Sequence, residues 1–361
     1  MTNQNSLHDE HITNIVLNAY AEKVFGEFLV DEEITEIAIN KPKEIWTEKR
    51  GVWTQHFKET LTLEMLQNFA PPFAGFNNTG ISDINPIVSG TLETGERVQV
   101  VYPPAVPKGT ISVTLRKPSK HIFSHQSYIE DGYYDALKAS NLCGDISESA
   151  TTKAHDSFAK NELIALLETE NFPLFFEKAV EIGKTIVFAG ATGSCKTSFM
   201  KTLIEHIPIE SRIITIEDTA EVKFHKHKNY VHLYYDAAAT KDSIVTSASL
   251  LKSCLRMKPD RILLSEIRGA ESWDFLKVVA SGHSGSMTSI HAGNIEEAVE
   301  GIITRCFQNQ ECRSFTYDIL QKMVLQSIDI ICHIECKNAK RYISDIYFKD
   351  LHQTTIKEKL T

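Results

Sequence analysis

Residues 190–198 read GATGSCKTS and lie between an apolar run, TIVFAG, and a helix-forming run, CKTSFMKTLIEHI. A strand that turns through a glycine-rich loop into a helix aims backbone N–H groups and the positive helix end at one point. A phosphate loop needs that geometry, a lysine for the β- and γ-phosphates, and a hydroxyl for magnesium. Gly190, Gly193, Lys196 and Thr197 supply those parts, and Ala191, Thr192, Ser194, Cys195 and Ser198 complete the segment. The pattern is close to G-x-x-x-x-G-K-[ST], with Cys195 where the second glycine belongs. A side chain there crowds the loop or strains it by ~1–3 kcal/mol. The plainer alternative is a serine- and glycine-rich helix cap; the strand–loop–helix context favours nucleotide binding.

The surroundings agree with that context. From Lys184 onward, the strands TIVFAG, RIITIED, RILLSEI (261–267) and GSMTSIHA alternate with helices around 245–257, at AESWDFLKVVASG and at NIEEAVEGIITRCF. Such alternation predicts an α/β fold with a mostly parallel, doubly wound sheet and a ligand site at the C-terminal strand ends. Asn294 and Glu297 form a capping-box pattern at the start of the last helix. Ahead of this region, Ile15, Val16, Ala19, Val24, Phe25 and Phe28 recur at helical spacing. Strand-like pieces follow at 34–40, 44–50, 51–57, 96–102 and 110–117, with a helical LTLEMLQNFA between them. At 361 residues the chain exceeds one hydrophobic core. The expected division is a smaller α+β domain at 1–118, a linker at 119–175 with a mobile insertion at 141–160, and the nucleotide domain at 176–361.

Charge and composition exclude several classes. With 47 acidic against 38 basic residues the net charge is −9, which argues against a nucleic-acid binder and a polybasic membrane anchor. No apolar run reaches the ~18–20 residues of a spanning helix, and MTNQNSLHDEHIT lacks the regions of a signal peptide. Seven cysteines with no CxxC pair fit a reducing compartment, so a cytoplasmic location is expected. Cys332, His333 and Cys336 read better as part of a strand than as a zinc site, which needs four ligands. HKHKN at 225–229 reads as a solvated loop, and Trp46, Trp53 and Trp273 as core or interface anchors.

Three further segments end in reactive groups. RIITIEDTAE (212–221) closes a strand with Glu217 and Asp218, suited to water or magnesium. LRMKPDRILLSEIRG (255–269) places Glu266 at a strand end with Arg268 just beyond, and SGHSGSMTSIHAG (281–293) offers His283 and His291 for sensing a γ-phosphate. Together with the phosphate loop they make a hydrolytic site.

In this order the four segments resemble the secretion, or traffic, ATPases, hexameric motors of type IV secretion, type II secretion and type IV pili. TIEDTAE matches their acid box, PDRILLSEIR the Walker B box and GHSGSMTSIHA the histidine box. The short N-terminal domain, GERVQVVYP (95–103) and ISVTLRKPSK (111–120) are most similar to the type IV secretion branch, the VirB-eleven family. The resemblance covers roughly residues 20–350. It implies a C-terminal RecA-like P-loop NTPase domain with a mostly parallel sheet, preceded by a smaller α+β N-terminal domain. It further implies ATP and Mg2+, a homo-hexameric ring with nucleotide between the domains, and secretion-system partners in the inner membrane and cytoplasm. Direct nucleic-acid binding is not expected, and partners would hold the chain at the cytoplasmic face of the inner membrane.

Residue by residue, the resemblance implies that Arg97 and Arg116 reach the phosphates and that Glu217 activates water. Glu266 positions magnesium through water beside Thr197, and His283 and His291 are the histidine-box residues. Which glutamate is the base stays open. Two positions depart from the family's glycines, Cys195 and Ser265, and bear on hydrolysis more than on binding. Cys195, beside Lys196 at a helix N-terminus, is expected to be a reactive thiol. The alternatives are a non-hydrolysing scaffold paralogue, which intact Lys196, Thr197, Glu217 and Glu266 disfavour, and a pilus retraction motor. The missing paired CxxC motif disfavours a pilus assembly ATPase, and the acidic balance a helicase.

Overall fold

The computed structural model describes residues 2–118, 124–138, 157–236, 243, 245–337 and 340–352. The chain divides into two units near residue 120. In the first, β1 (Ile34–Lys41), β2 (Glu44–Lys49), β3 (Val52–Phe57), β4 (Ile87–Thr91), β5 (Arg97–Val101) and β6 (Ser112–Arg116) form an antiparallel sheet in the order β3-β2-β1-β6-β5-β4. Alternation decides its faces: Val98 and Val100 of β5 and Val113 and Leu115 of β6 point into one core. Two helices, α1 (Thr2–Leu29) and α2 (Leu63–Phe76), contribute to that core, and Phe25 meets Phe69 edge-on at 5.5 Å. The buried stripe of α1 is Leu17, Ala21, Val24, Phe25 and Phe28. This corrects the sequence-derived face at its start, since Ile15 is 57% exposed and Leu17 is the residue in phase with Ala21 and Val24.

The second unit contains α3 (His125–Glu130), α4 (Ser157–Glu168), α5 (Phe172–Glu181), β7 (Ile186–Gly190), α6 (Lys196–Ile204), β8 (Ile213–Glu217), β9 (Tyr230–Tyr234) and α7 (Ser247–Cys254). It continues through β10 (Arg261–Leu264), α8 (Glu271–Ala280), β11 (Met287–Ile290), α9 (Ile295–Cys306), α10 (Tyr317–Ser327), β12 (Ile330–Lys337) and β13 (Lys340–Phe348). The sheet order is β13-β12-β7-β11-β10-β8-β9, parallel except for β13, which runs antiparallel to β12. Its central strands are buried on both faces, so β7 is apolar throughout and β8 and β11 admit only the small hydroxyls Thr215, Thr288 and Ser289 within their lengths before Glu217. On β7, Ile186 and Phe188 join a core with Tyr128, Phe175 and Phe199, while Val187 and Ala189 join another with Val299, Ile302 and Leu325. The α/β class with a mostly parallel sheet is the one expected.

Within 119–175, residues 124–138 and 157–175 carry α3, α4 and the start of α5, and Tyr128, Tyr133, Leu163, Leu167 and Phe175 are buried in the second unit's core. Residues 141–156 of the expected insertion lie outside the described residues, and 157–160 open α4. Cys332 is wholly buried in the core, His333 Nδ1 lies 2.6 Å from Ser344 Oγ on β13, and Cys336 is exposed, so these side chains do not converge. In the basic loop, His227 is buried with Nε2 2.9 Å from the Ile207 carbonyl oxygen, a tighter arrangement than the solvated loop expected.

Candidate functional site

Backbone shape makes the loop after β7. A Cβ at Gly190 would stand 2.4 Å from the Ile334 carbonyl oxygen and 2.7 Å from Ser194 Oγ, so the strand passes β12 only as glycine. Gly193 has φ 77°, and Cys195 follows at φ 69°, ψ 26°. The left-handed conformation costs a side-chain-bearing residue ~1–2 kcal/mol. Cys195 is the N-cap of α6, yet its side chain takes none of the helix's first-turn N–H groups. By contrast Thr62, Ser124, Asn171, Thr246, Asn294 and Thr316 each accept such a bond at the start of α2, α3, α5, α7, α9 and α10. The Cys195 side chain therefore does not compete with an anion at the first turn of α6. Ala191 and Thr192 are exposed on the loop, and Ser198 is half-buried one turn into the helix.

Lys196 is buried, and its ammonium donates to the Gly190 and Ala191 carbonyl oxygens at 2.8 Å each. The same Nζ lies 3.3 Å from His291 Nδ1, and His291 Nε2 lies 2.8 Å from Glu266 Oε1, close but off-axis for a hydrogen bond. Arg268 Nε donates to Glu266 Oε2 at 2.9 Å and its Nη1 to Asp218 Oδ2 at 2.8 Å. A continuous chain of contacts thus runs from the phosphate loop across the C-terminal ends of β11, β10 and β8. Burial holds the His291 imidazole below its usual value, against the pull of Glu266 and assisted by Lys196, Arg268 and Arg305. A neutral ring protonated on Nε2 accepts from Lys196 at Nδ1 and turns its N–H toward Glu266.

The N-terminus of α6, uncapped by the Cys195 side chain, a half-buried Thr197 hydroxyl and the Glu266 carboxylate are the hard donors and acceptors that a nucleotide with magnesium requires. Ser194 Oγ, sealed inside the loop, has no hydrogen-bond partner among the described residues, a second sign that the loop's polar groups fit a phosphate.

Glu217 ends β8 and is 1% exposed. Its Oε1 accepts from Thr215 Oγ1 at 2.7 Å with His232 Nδ1 at 3.3 Å, and its Oε2 accepts from the Glu221 and Val222 amides at 2.8 Å. It clasps the turn that carries Asp218. Ser265 keeps β10 aligned, donating its amide to Ile216 at 2.9 Å while its carbonyl accepts from Ser289 Oγ at 2.8 Å.

His283 is not brought to the loop. It precedes β11 beside Gly285, whose Cβ would meet Arg261 Nε at the foot of β10, and Ser286 takes the first amide of β7. That is the N-terminal edge of the sheet, where His283 Nδ1 lies 3.2 Å from Ser281 Oγ. Arg97 and Arg116 belong to the first unit, directly opposite one another on β5 and β6. The sequence reading missed Arg341 on β13, whose Nε donates to the Gly193 carbonyl at 3.3 Å, and Thr215 and His232, which hold Glu217. Nothing local marks Arg341, which is 148 residues from the glycine it touches.

Among the described residues no helix is long and apolar enough to cross a membrane. Residues 152–355 match the family model described as type II/IV secretion system protein. The chain is 39% identical over 326 residues to the type IV secretion system protein VirB11 of Brucella suis, covering 89% of this chain and 87% of the relative. It is 35% identical to VirB11 of Bartonella henselae over 98% of both chains. The crystal structure of the Brucella suis VirB11 ATPase in complex with sulphate aligns at a TM-score of 0.52 and 36% identity, over 98% of this chain and 100% of that one.

Proposed function

The chain belongs to the type II/IV secretion system protein family, and we propose that it is an ATP-hydrolysing motor, a homo-hexameric ring energising a type IV secretion system. The observation that carries the proposal is the run of contacts from Lys196 through His291 and Glu266 to Arg268 and Asp218. Within it, the loop amides and the first turn of α6 bind the phosphates of ATP, and Lys196 exchanges carbonyl oxygens for β- and γ-phosphate oxygens. Thr197 and Glu266 would hold magnesium, which would neutralise charge on those oxygens. Glu266 orients the attacking water, Arg268 keeps that carboxylate directed, and the neutral His291 links it to Lys196. Glu217 acts as a positioning residue that sets the turn bearing Asp218. Arg97 and Arg116 are the first unit's cations for the transferring phosphoryl group. His283 has no role at this subunit's loop. Inner-membrane and cytoplasmic secretion proteins are the proposed partners, and through them the ring works at the cytoplasmic face of the inner membrane.

Steady-state ATP hydrolysis with magnesium, measured for the parent, Lys196→Ala and Cys195→Gly, tests the reading. Turnover lost in Lys196→Ala and kept or raised in Cys195→Gly is expected, because glycine relieves the left-handed strain at 195. Turnover that survives Lys196→Ala would overturn it. A parent that binds but does not hydrolyse ATP, with turnover appearing in Cys195→Gly, would make the chain a nucleotide-binding scaffold.

A further inference from the structure

The far end of α6 carries a second group of ligand-type side chains. His125 opens α3, Glu177 lies on α5, and His206 follows the last turn of α6. One ligand atom from each lies within 4.8 Å of the other two. His125 Nδ1 is 2.8 Å from Glu177 Oε1, and the His125 and His206 rings meet edge-on with centroids 5.2 Å apart. Nine helical residues at ~1.5 Å each separate this group from the phosphate loop by roughly 14 Å, so the nucleotide chemistry does not use it.

A structural ion pair between His125 and Glu177 explains the cluster incompletely. His206 makes no hydrogen bond through either ring nitrogen among the described residues, while facing the other two groups. His125 is oriented from behind, its Nε2 paired with the Tyr134 hydroxyl, which leaves Nδ1 directed at the shared point. A ligating histidine fixed through its other nitrogen is the usual arrangement at a metal. Glu177 keeps a third of its side chain exposed and His206 is half-buried, so the point is reachable from solvent.

We infer that His125, Glu177 and His206 form a site for a zinc-class divalent cation, with three protein ligands and a fourth position for water. Two imidazoles and one carboxylate suit zinc, cobalt or nickel and disfavour magnesium, which takes oxygen ligands. The bound ion would draw the three donors closer together and tie α3 and α5 to the C-terminal end of the helix that begins at the phosphate loop.

The test uses the full chain, stripped with a chelator and titrated with Zn2+ and with Co2+ by calorimetry and visible absorbance. One ion per chain and the intense visible bands of four-coordinate cobalt are expected. Both Glu177→Gln and His206→Ala should weaken binding more than about tenfold, and Tyr134→Phe by about tenfold. Zinc should raise the thermal midpoint of the parent but not of Glu177→Gln. Affinity for a fluorescent ADP analogue, unchanged in each variant, shows that the chain is folded and keeps this test separate from that of the ATPase reading. If His206→Ala does not fold, the partly exposed Glu177→Gln carries the test. No stoichiometric ion in the parent, or binding unaltered in Glu177→Gln, would overturn the site, the latter placing the ion elsewhere, as at Cys336.

Discussion

The two edges of the parallel sheet use the same residue types to opposite ends. At the N-terminal edge, Asp329 accepts the Thr185 amide at 2.8 Å and pairs with Lys349. Asp260 accepts the Arg212 amide at 2.7 Å, and the Arg212 guanidinium donates to the Met257 carbonyl and to Asn229. Charge there is consumed in fixing where strands begin. At the C-terminal edge, Lys196, His291, Glu266, Arg268 and Asp218 form a run of contacts, and the N-cap side chain takes none of the first-turn amides of α6. At the first edge the carboxylates hold the amides where strands begin. At the second, Lys196 also holds the Gly190 and Ala191 carbonyls, but the charged groups form one connected run beside the loop, and such a run can exchange partners for a ligand. One segment contributes to both: His283 lies at the first edge and His291 at the second.

The largest effect should come from the C-terminal edge. Lys196→Ala is expected to lower turnover ~100- to 1000-fold, the scale of losing one preorganised charge donor. Glu266→Gln should lower kcat about 100-fold while ATP still binds, as measured with a fluorescent analogue. If ATP affinity falls as steeply as kcat, Glu266 holds the ligand rather than the water. At the N-terminal edge, His283→Ala should leave nucleotide affinity unchanged where His291→Ala weakens it. Equal losses would break the division of the edges. Asp329→Ala should cost about 1–3 kcal/mol of stability by orphaning the Thr185 amide, read by denaturant unfolding, with kcat per folded molecule unchanged.

The strand–turn–helix around Lys196 was legible because it is contiguous: it lies within nineteen residues of sequence, from Ile186 to Ile204. The capping pattern at α9 was half legible. Asn294 accepts the Glu297 amide at 2.7 Å, but the Glu297 carboxylate returns to the amide of Gly293, one residue before the cap. Local spacing offers that glutamate both amides, and only the backbone course past β11 decides between them. β4, β9, β13 and α10 were not read at all. β9 is half-exposed at the sheet edge, so neither strict alternation nor an unbroken apolar run marks it. β13 carries a register shift opposite His333 and Ile334, which blurs its period. The role of Glu217 was likewise hidden, because the amides it clasps belong to residues 221 and 222 and its hydroxyl donor to Thr215.

The smallest effect concerns His333, level with Ala189 near the C-terminal edge. Burial lowers its imidazole below the usual value, opposed by Glu335, by the Ala292 backbone and by Glu297, and assisted by Lys196. Between the folded and unfolded values the unfolded chain binds more protons, so stability rises with pH through the window below ~6.5 and flattens above it. The proton His333 refuses is therefore a penalty at pH 5.5 that is absent at pH 7.5. His333→Gln keeps a polar partner for Ser344 and cannot titrate, so the difference in thermal midpoint between those two pH values should shrink by roughly 2 °C relative to the parent. A difference that stays the same would mean that other groups carry the acid sensitivity. A difference that grows would reverse the sign and show that the folded protein welcomes the proton, making this buried histidine part of the exchangeable charge of the C-terminal edge rather than of its fixed frame.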